Sequence, residues 1–385
     1  MFTGSRRGQI GRAAGAAALL LGAASAAAGA DDQWLEVRFA RDSPVLLVSF
    51  SLGPTTARPL GMSMALDLHA SLVLRNTGNK PISGLTLRVE AQDLTPAGKG
   101  SVTRPSLHVA PGETFPVRVD MQLLRPFSMA RSEGALVQVS LDCALFSDLT
   151  AYGPDSLGSR RALMVYELEA RRDRRYLAAL LQEQRLAQLR EDLNFGLQDF
   201  SPQQLGLELL REPRGSARGE QPVTVGAVSF PSSPVQTVSG AARVAGNEVR
   251  APQIDVRNTS QKVVRSIDMG WIVRDERGRD FVAGSVPARM QLGPVQTGTM
   301  SEPGTLRFSH PTGQPMVIDA LLAFVNDVEF ADGKVWIPTR TDIDAATSDP
   351  VLRRALGASP EQQRLAEIYR RKGVSGLAEE LRRLN

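Results

Sequence analysis

Apolar and polar residues alternate with a spacing of two through most of the chain. Leu85, Leu87 and Val89 share one side of residues 85–89, and Phe115, Val117 and Val119 do the same after a break at Pro111-Gly112. A period of two puts such residues on one face of a strand, and the Gly, Pro and Asn between the runs supply the turns. Residues 136–146 read as the last long strand of this half. The pattern changes over 163–193, where Leu177, Leu180, Leu181, Leu186, Leu189 and Leu193 form a helical stripe among Arg, Glu and Gln. Asn194 and Gly196 offer its end. Ser201-Pro202-Gln203-Gln204 carries a Ser cap and a first-turn Pro, which predicts a shorter helix through Leu210. Farther on, Asp349-Pro350 and Ser359-Pro360 predict two helices, the second ending near Gly373, and Leu377, Leu381 and Leu384 mark a last one.

The two halves match in order and spacing. Val48-Ser49-Phe50 recurs as Val228-Ser229-Phe230, and Arg75-Asn76-Thr77 as Arg257-Asn258-Thr259. Val109-Ala110-Pro111 faces Leu292-Gly293-Pro294, and 137–153 faces 317–333. Ile267, Met269 and Trp271 take the places of Leu85, Leu87 and Val89, so the inward positions keep their apolar character. Asp332-Gly333 supplies the tight turn of a closing hairpin. The missing crossover helices argue against a βαβ sheet. The predicted fold is mainly β with helical additions: two antiparallel β-sandwiches joined by a long α-helix, followed by C-terminal helices.

The Arg-Asn-Thr-Gly turn at 75–78, Pro81-Ile82-Ser83-Gly84-Leu85, Pro-Gly-Glu at 111–113 and the Phe-x-Asp-Gly-x-x-Trp ending at 330–336 resemble bacterial extracytoplasmic immunoglobulin-like (CARDB/FxLYD-like) modules. The resemblance spans about residues 45–150 and 223–340. It implies two immunoglobulin-like sandwiches used for binding, adhesion or spacing, and it implies no active site. The expected organisation is a signal peptide at 1–30, a first module at 33–158, a helical connector at 160–212, a linker at 213–222, a second module at 223–341 and helices at 345–385.

Arg6, Arg7 and Arg12 followed by the apolar run 13–21 and Ala28-Gly29-Ala30 read as a cleavable export signal, too short in its apolar core to span a bilayer of ~30 Å. Ser5-Arg6-Arg7 matches a twin-arginine signal at the arginine pair alone, so the route stays open between that system and the general one. The expected location is the periplasm or the extracellular space. Removing those three of the 45 basic residues leaves 42 against 41 acidic ones, without the broad positive field of a nucleic-acid binder. One cysteine, Cys143, cannot close an intrachain disulfide, and its strand-like setting reads as a buried small hydrophobe.

No catalytic residue, cofactor site or metal site is assigned. His69, His108 and His310 lack metal-ligand spacing, and nucleophile-elbow and phosphate-loop motifs are absent. Asp275-Glu276-Arg277-Gly278-Arg279-Asp280 lacks the oxygen spacing of a calcium loop and reads as a turn. Asn258-Thr259-Ser260 matches a glycosylation sequon inside a turn. Arg171, Arg172, Arg174 and Arg175 are the weak candidates for an anion-binding patch, weighed against a solvated helix face paired with nearby acids. The expected function is non-enzymatic binding of an envelope protein or glycan. The alternative is a structural or spacer subunit associating through its helices, with a monomer favoured over a helix-mediated dimer.

Overall fold

The computed structural model describes residues 35–54, 56–60, 63–91, 99–126, 137–197, 204–210, 219–310 and 316–384. The expected signal at 1–30 and most of the expected linker at 213–222 lie outside the described residues. The first half contributes β1 (Leu35–Arg38), β2 (Val45–Leu52), β3 (Thr56–Leu60), β4 (Ser63–Asn76), β5 (Ile82–Ala91), β6 (Lys99–Arg104), β7 (Thr114–Pro126), β8 (Val137–Phe146) and β9 (Ala151–Tyr152). One sheet runs β1-β8-β5-β6 with β9 on β8, and the other runs β2-β4-β3 with β7 on β4. The faces that carry Leu72, Leu74, Leu85, Leu87, Val117 and Val139 meet in one apolar core, the outcome that alternating strands require.

Two helices follow, α1 (Ser159–Gln182) and α2 (Leu186–Gly196), separated at Gln184, whose φ of 57° lies in the left-handed region. The second half contains β10 (Gln204–Leu210), β11 (Gln221–Val228), β12 (Val235–Ala245), β13 (Glu248–Asn258), β14 (Val264–Asp275), β15 (Asp280–Leu292), β16 (Thr297–Ser301), β17 (Thr305–Ser309), β18 (Ile318–Phe330) and β19 (Val335–Trp336). Then come α3 (Arg340–Ala346), α4 (Pro350–Gly357) and α5 (Pro360–Leu384), the last broken at Gly373 by a φ of 67°. Among the described residues no helix is long and apolar enough to cross a membrane.

This architecture overturns the expected pair of immunoglobulin-like antiparallel sandwiches. The second half is a closed, mixed barrel of eight strands in the order β11-β12-β13-β17-β10-β15-β14-β18, with β18 returning to β11, while the first half keeps two separate sheets. Two differences cause the closure. β11 pairs β12 through residues 221–224 and then leaves it to run parallel to β18 through 225–228, so one strand joins both sheets. On the far side β10 inserts between β17 and β15, antiparallel to one and parallel to the other. The segment expected to be a short helix is that strand. Leu205, Leu207 and Leu209 turn into the barrel core, a period of two that the Ser-Pro signal upstream of Gln204 obscures.

The duplication is nevertheless built into the backbone. Asn76 Nδ2 donates to the carbonyls of Lys80 (2.9 Å) and Val109 (3.0 Å), and its Oδ1 accepts from the Gly78 amide (3.0 Å). Asn258 Nδ2 donates to those of Lys262 (2.8 Å), Gly293 (2.9 Å) and Leu292 (3.1 Å), and its Oδ1 accepts from the Ser260 amide (2.9 Å). Both asparagines are fully buried, so the sequon side chain is a structural donor. The strand registers correct two of the sequence landmarks. Val45 lies opposite Asn76 and Val235 opposite Asn258, so Val48 matches Val238 and not Val228, and both sit at a β-bulge with 53% and 61% of their surface exposed. Likewise Phe146 and Phe330 lie opposite Ile82 and Val264, which aligns the Asp332-Gly333 turn with Asp148-Leu149, four positions away from the landmark read in the sequence.

The helices pack on each other and on the barrel. Leu177, Leu180, Leu189 and Leu193 meet Leu365, Ala366, Leu377 and Leu381 of α5, while Ile343 of α3 and Leu352 of α4 cover Phe230, Ile272 and Phe324 on the barrel's outer face. Truncating either turn asparagine strands buried carbonyls without a donor, at about 1–3 kcal/mol. Asn76→Ala and Asn258→Ala are therefore each expected to lower stability by about that amount in urea unfolding, and two variants indistinguishable from the parent would contradict the shared role.

Candidate functional site

α1 touches the same patch of both repeats. Its start is fixed to the first half by buried Asp142 on β8, which accepts hydrogen bonds from Ser159 Oγ (2.5 Å), Ser156 Oγ (2.7 Å) and the Leu157 amide (3.2 Å). One turn on, Leu163 packs against Cys143 and Leu145 and over Gly84, where a Cβ would lie 2.9 Å from Leu163 Cδ2. The thiol of Cys143 is buried and pushed up to about 12, first by that burial. Toward the barrel, Arg161 donates through Nε (3.0 Å) and Nη2 (2.5 Å) to Asp327 on β18, and through Nη1 to Ser266 Oγ on β14 (2.5 Å). In the repeat register Ser266 stands where Gly84 does, and Asp327 where Cys143 does. One helix thus grips equivalent strand pairs, with an apolar contact on one side and an ionic one on the other.

Farther along α1 lies the arginine run. Arg172 (3.0 Å) and Arg340 (2.7 Å) both pair with buried Asp173, which also accepts from Ser359 Oγ. The remaining Arg172 nitrogens donate to the carbonyls of Gly357 (3.1 Å) and Pro338 (3.3 Å). Arg174 pairs with Glu361 (3.1 Å) and Glu167 (3.2 Å) and contacts His108 Nε2 (3.0 Å). Arg171 pairs with Glu167 (2.9 Å) and reaches the Ser147 carbonyl. Burial opposes ionisation of Asp173 and Glu361, yet Arg172 and Arg340 hold the first, and Arg364 with His108 the second, below the ordinary carboxylate range. Of the four candidate arginines, Arg171, Arg172 and Arg174 are internal ties, and Arg175 is the exposed one.

At the ionic joint, Asp327 lies directly opposite Asp268 in the β14–β18 ladder. Burial first, then the Asp268 carboxylate, push Asp327 up to about 7 against the pull of Arg161. Asp327 is 1% exposed and capped by the Arg161 fork.

Beside this joint opens a cleft of about 1020 Å³ between the start of α1 and the outer face of β14–β15. Arg160, Arg161, Arg265 and Arg289 line it, with Asp155 and Glu329 as the acids. Asp155 Oδ1 is taken by the Arg160 amide (2.8 Å), and Arg265 stands 3.6 Å from Glu329. The guanidiniums of Arg160 and Arg289 have no carboxylate partner among the described residues. α1 opens at Gly158, with a φ of 67° and no acid within its first turn, and Asp155 just before it accepts the Arg160 amide. Unpaired cations at the positive end of a 24-residue helix reverse the usual charge preference. That reversal is written in Gly158-Ser159-Arg160-Arg161 and was the available signal; Arg265 and Arg289 join it only through the sheet.

No family model matches the chain, and no curated protein matches it. Solved structures give weak likenesses. A beta-glucosidase from Kluyveromyces marxianus aligns at 11% identity over 71% of this chain and 45% of its own, with a TM-score of 0.16. A two-domain protein of unknown function from Bacteroides fragilis aligns at 8% identity over 71% of this chain and 93% of its own, with a TM-score of 0.12. The chain spans less than half the length of the glucosidase, and likenesses of this size carry no functional argument.

The three histidines occupy separate places. His69 pairs with Asp120 on the surface (2.8 Å), His108 sits beside Arg174 and Glu361, and His310 stacks edge-on to Phe281. Among the described residues no group of three His, Cys, Asp or Glu is placed to hold a metal ion. In the 275–280 turn, Asp275 accepts the amides of Arg277 and Arg279, and Asp280 pairs with Arg274. The raised Asp327 makes a pH prediction. Between its ordinary value of 3.8 and about 7 the folded state binds the extra proton, so this carboxyl's contribution to stability is fully present below that window and is lost as pH rises through about 7. Urea midpoints measured across the window should lose this component in Asp327→Asn, and an unchanged pH slope in the variant would contradict the assignment.

Proposed function

We propose that the chain is an exported, non-enzymatic binding protein of the cell envelope that takes an acidic group of a protein or glycan partner into the cleft between α1 and β14–β15. The observation that carries this reading is the pair of guanidiniums, Arg160 and Arg289, converging on a cleft of about 1020 Å³ with no carboxylate partner among the described residues. Guanidinium forks match carboxylate, phosphate and sulfate oxygens in pairs, and the amino end of α1 adds a favourable dipole. The near balance of 42 basic and 41 acidic residues in the chain after the leader makes the cleft a local positive feature on a neutral protein. The alternative, a spacer subunit associating through its helices, is weakened because α5 already covers the leucines of α1 and α2.

Isothermal titration of the chain with oligoglutamate and with a sulfated oligosaccharide tests the cleft. The wild type is expected to bind at least one of them with an affinity that falls as salt rises. Arg160→Glu with Arg289→Glu is expected to weaken that binding about tenfold or more while urea unfolding stays near the parent's, since neither side chain holds a buried partner. A double variant that binds as well as the parent, or a parent that binds neither anion, contradicts the proposal.

A further inference from the structure

The cleft has an apolar neighbour. Between β15 and β16 no hydrogen-bond ladder runs: β16 pairs β13 alone, and β15 pairs β14 and, at 282–283, β10. The barrel wall therefore has a seam, and a second cavity of about 360 Å³ lies in it, reaching Ile254, Met269, Trp271 and Met300 of the barrel core. Pro287, Arg289 and Met290 line this cavity and the basic cleft alike. In the β14–β15 ladder Arg289 is opposite Ser266, which faces α1, whereas Ala288 and Met290 pack toward the core. The free edge of β15 thus carries a cation on one face and apolar side chains on the other.

Three further features bear on the two cavities. Trp271 is 3% exposed, lines the seam, and its indole N–H finds no acceptor. Leu157 and Met164 line the cleft beside the arginines, and Leu157 stands 43% exposed. Glu302 also lines the seam, with one oxygen accepting from the Gly304 amide (2.9 Å), and Arg289 is the charged residue that lines both cavities. An apolar pocket with a cation at its mouth fits a ligand that has an acid at one end and a chain at the other.

Resting on the cleft reading above, we infer that the partner's acidic group carries an acyl chain, making it an anionic amphiphile: the acid head meets Arg289, and the single acyl chain passes over the edge of β15 into the seam against Trp271 and Met300. The head is fixed by charge and the chain by burial, so affinity rises with chain length, as it does not for a ligand held by charge alone.

The test titrates the full chain with decanoate, with butyrate and with the soluble polyanions used above, and follows quenching of tryptophan emission by a brominated decanoate. Decanoate is expected to bind at least tenfold more tightly than butyrate, Arg289→Glu to weaken it about tenfold, and quenching to drop in Trp271→Phe, a variant that keeps the ring volume near enough to fold. Binding of polyanions without decanoate overturns the amphiphile and leaves the cleft standing. Binding of neither overturns both. Decanoate affinity that is indifferent to Arg289→Glu, or quenching that survives Trp271→Phe, shows uptake elsewhere and overturns the site.

Discussion

The structure depends on charge buried along α1. Asp142, Asp173, Arg174 and Glu361 are buried and Arg161 is largely so, and each meets a partner from another element: Ser159 for Asp142, Arg340 for Asp173, Glu361 for Arg174 and Asp327 for Arg161. Breaking one side of such a pair leaves a charge stranded in a poorly solvating interior, at about 3–5 kcal/mol. The pairs add little net stability over apolar contacts of the same volume, but they fix a single arrangement. A leucine stripe would tolerate sliding along or around the helix. Arg161 against Asp327 and Ser266, with Arg172 held to two carbonyls, tolerates none.

The cleft follows from this geometry. A helix whose first turn is bound to Asp142 on one side and Asp327 on the other must leave its amino end over the β14–β15 surface, and the residues there are arginines. The mixed barrel contributes the rest, because β15 and β16 do not pair with each other, which opens the interior beside Arg289. In the first repeat β6 pairs β5 alone and β7 pairs β4 alone, so the corresponding strands are likewise unjoined.

Much of the strand content was legible because each strand advertises itself locally: Leu85, Leu87 and Val89, or Ile267, Met269 and Trp271, alternate and are buried. The Asn76 and Asn258 turns were legible as a repeat, although only the structure shows that each side chain satisfies two or three carbonyls. What the sequence hid is long-range. β10 follows a helix-start signal, and its strand character depends on the gap between β17 and β15 that it fills. The barrel closure depends on β11 changing partners halfway along. Arg171, Arg172 and Arg174 read as surface because their nearest acids in sequence suffice for a solvated face, while the partners that bury them, such as Glu361, are more than 180 residues away. Short patterns report which residues share a face, and they are silent about which distant face comes to cover it.

The most direct measurement of the central claim is the distance distribution between spin labels on the two β units, attached at introduced cysteines replacing exposed Arg118 on β7 and Arg277 in the β14–β15 turn, with buried Cys143 left in place. The ion-paired α1 predicts one narrow peak that broadens when Arg161 is replaced by leucine. A broad or multiple distribution in the parent chain would show that the two units move independently and that the buried charges do not fix the helix.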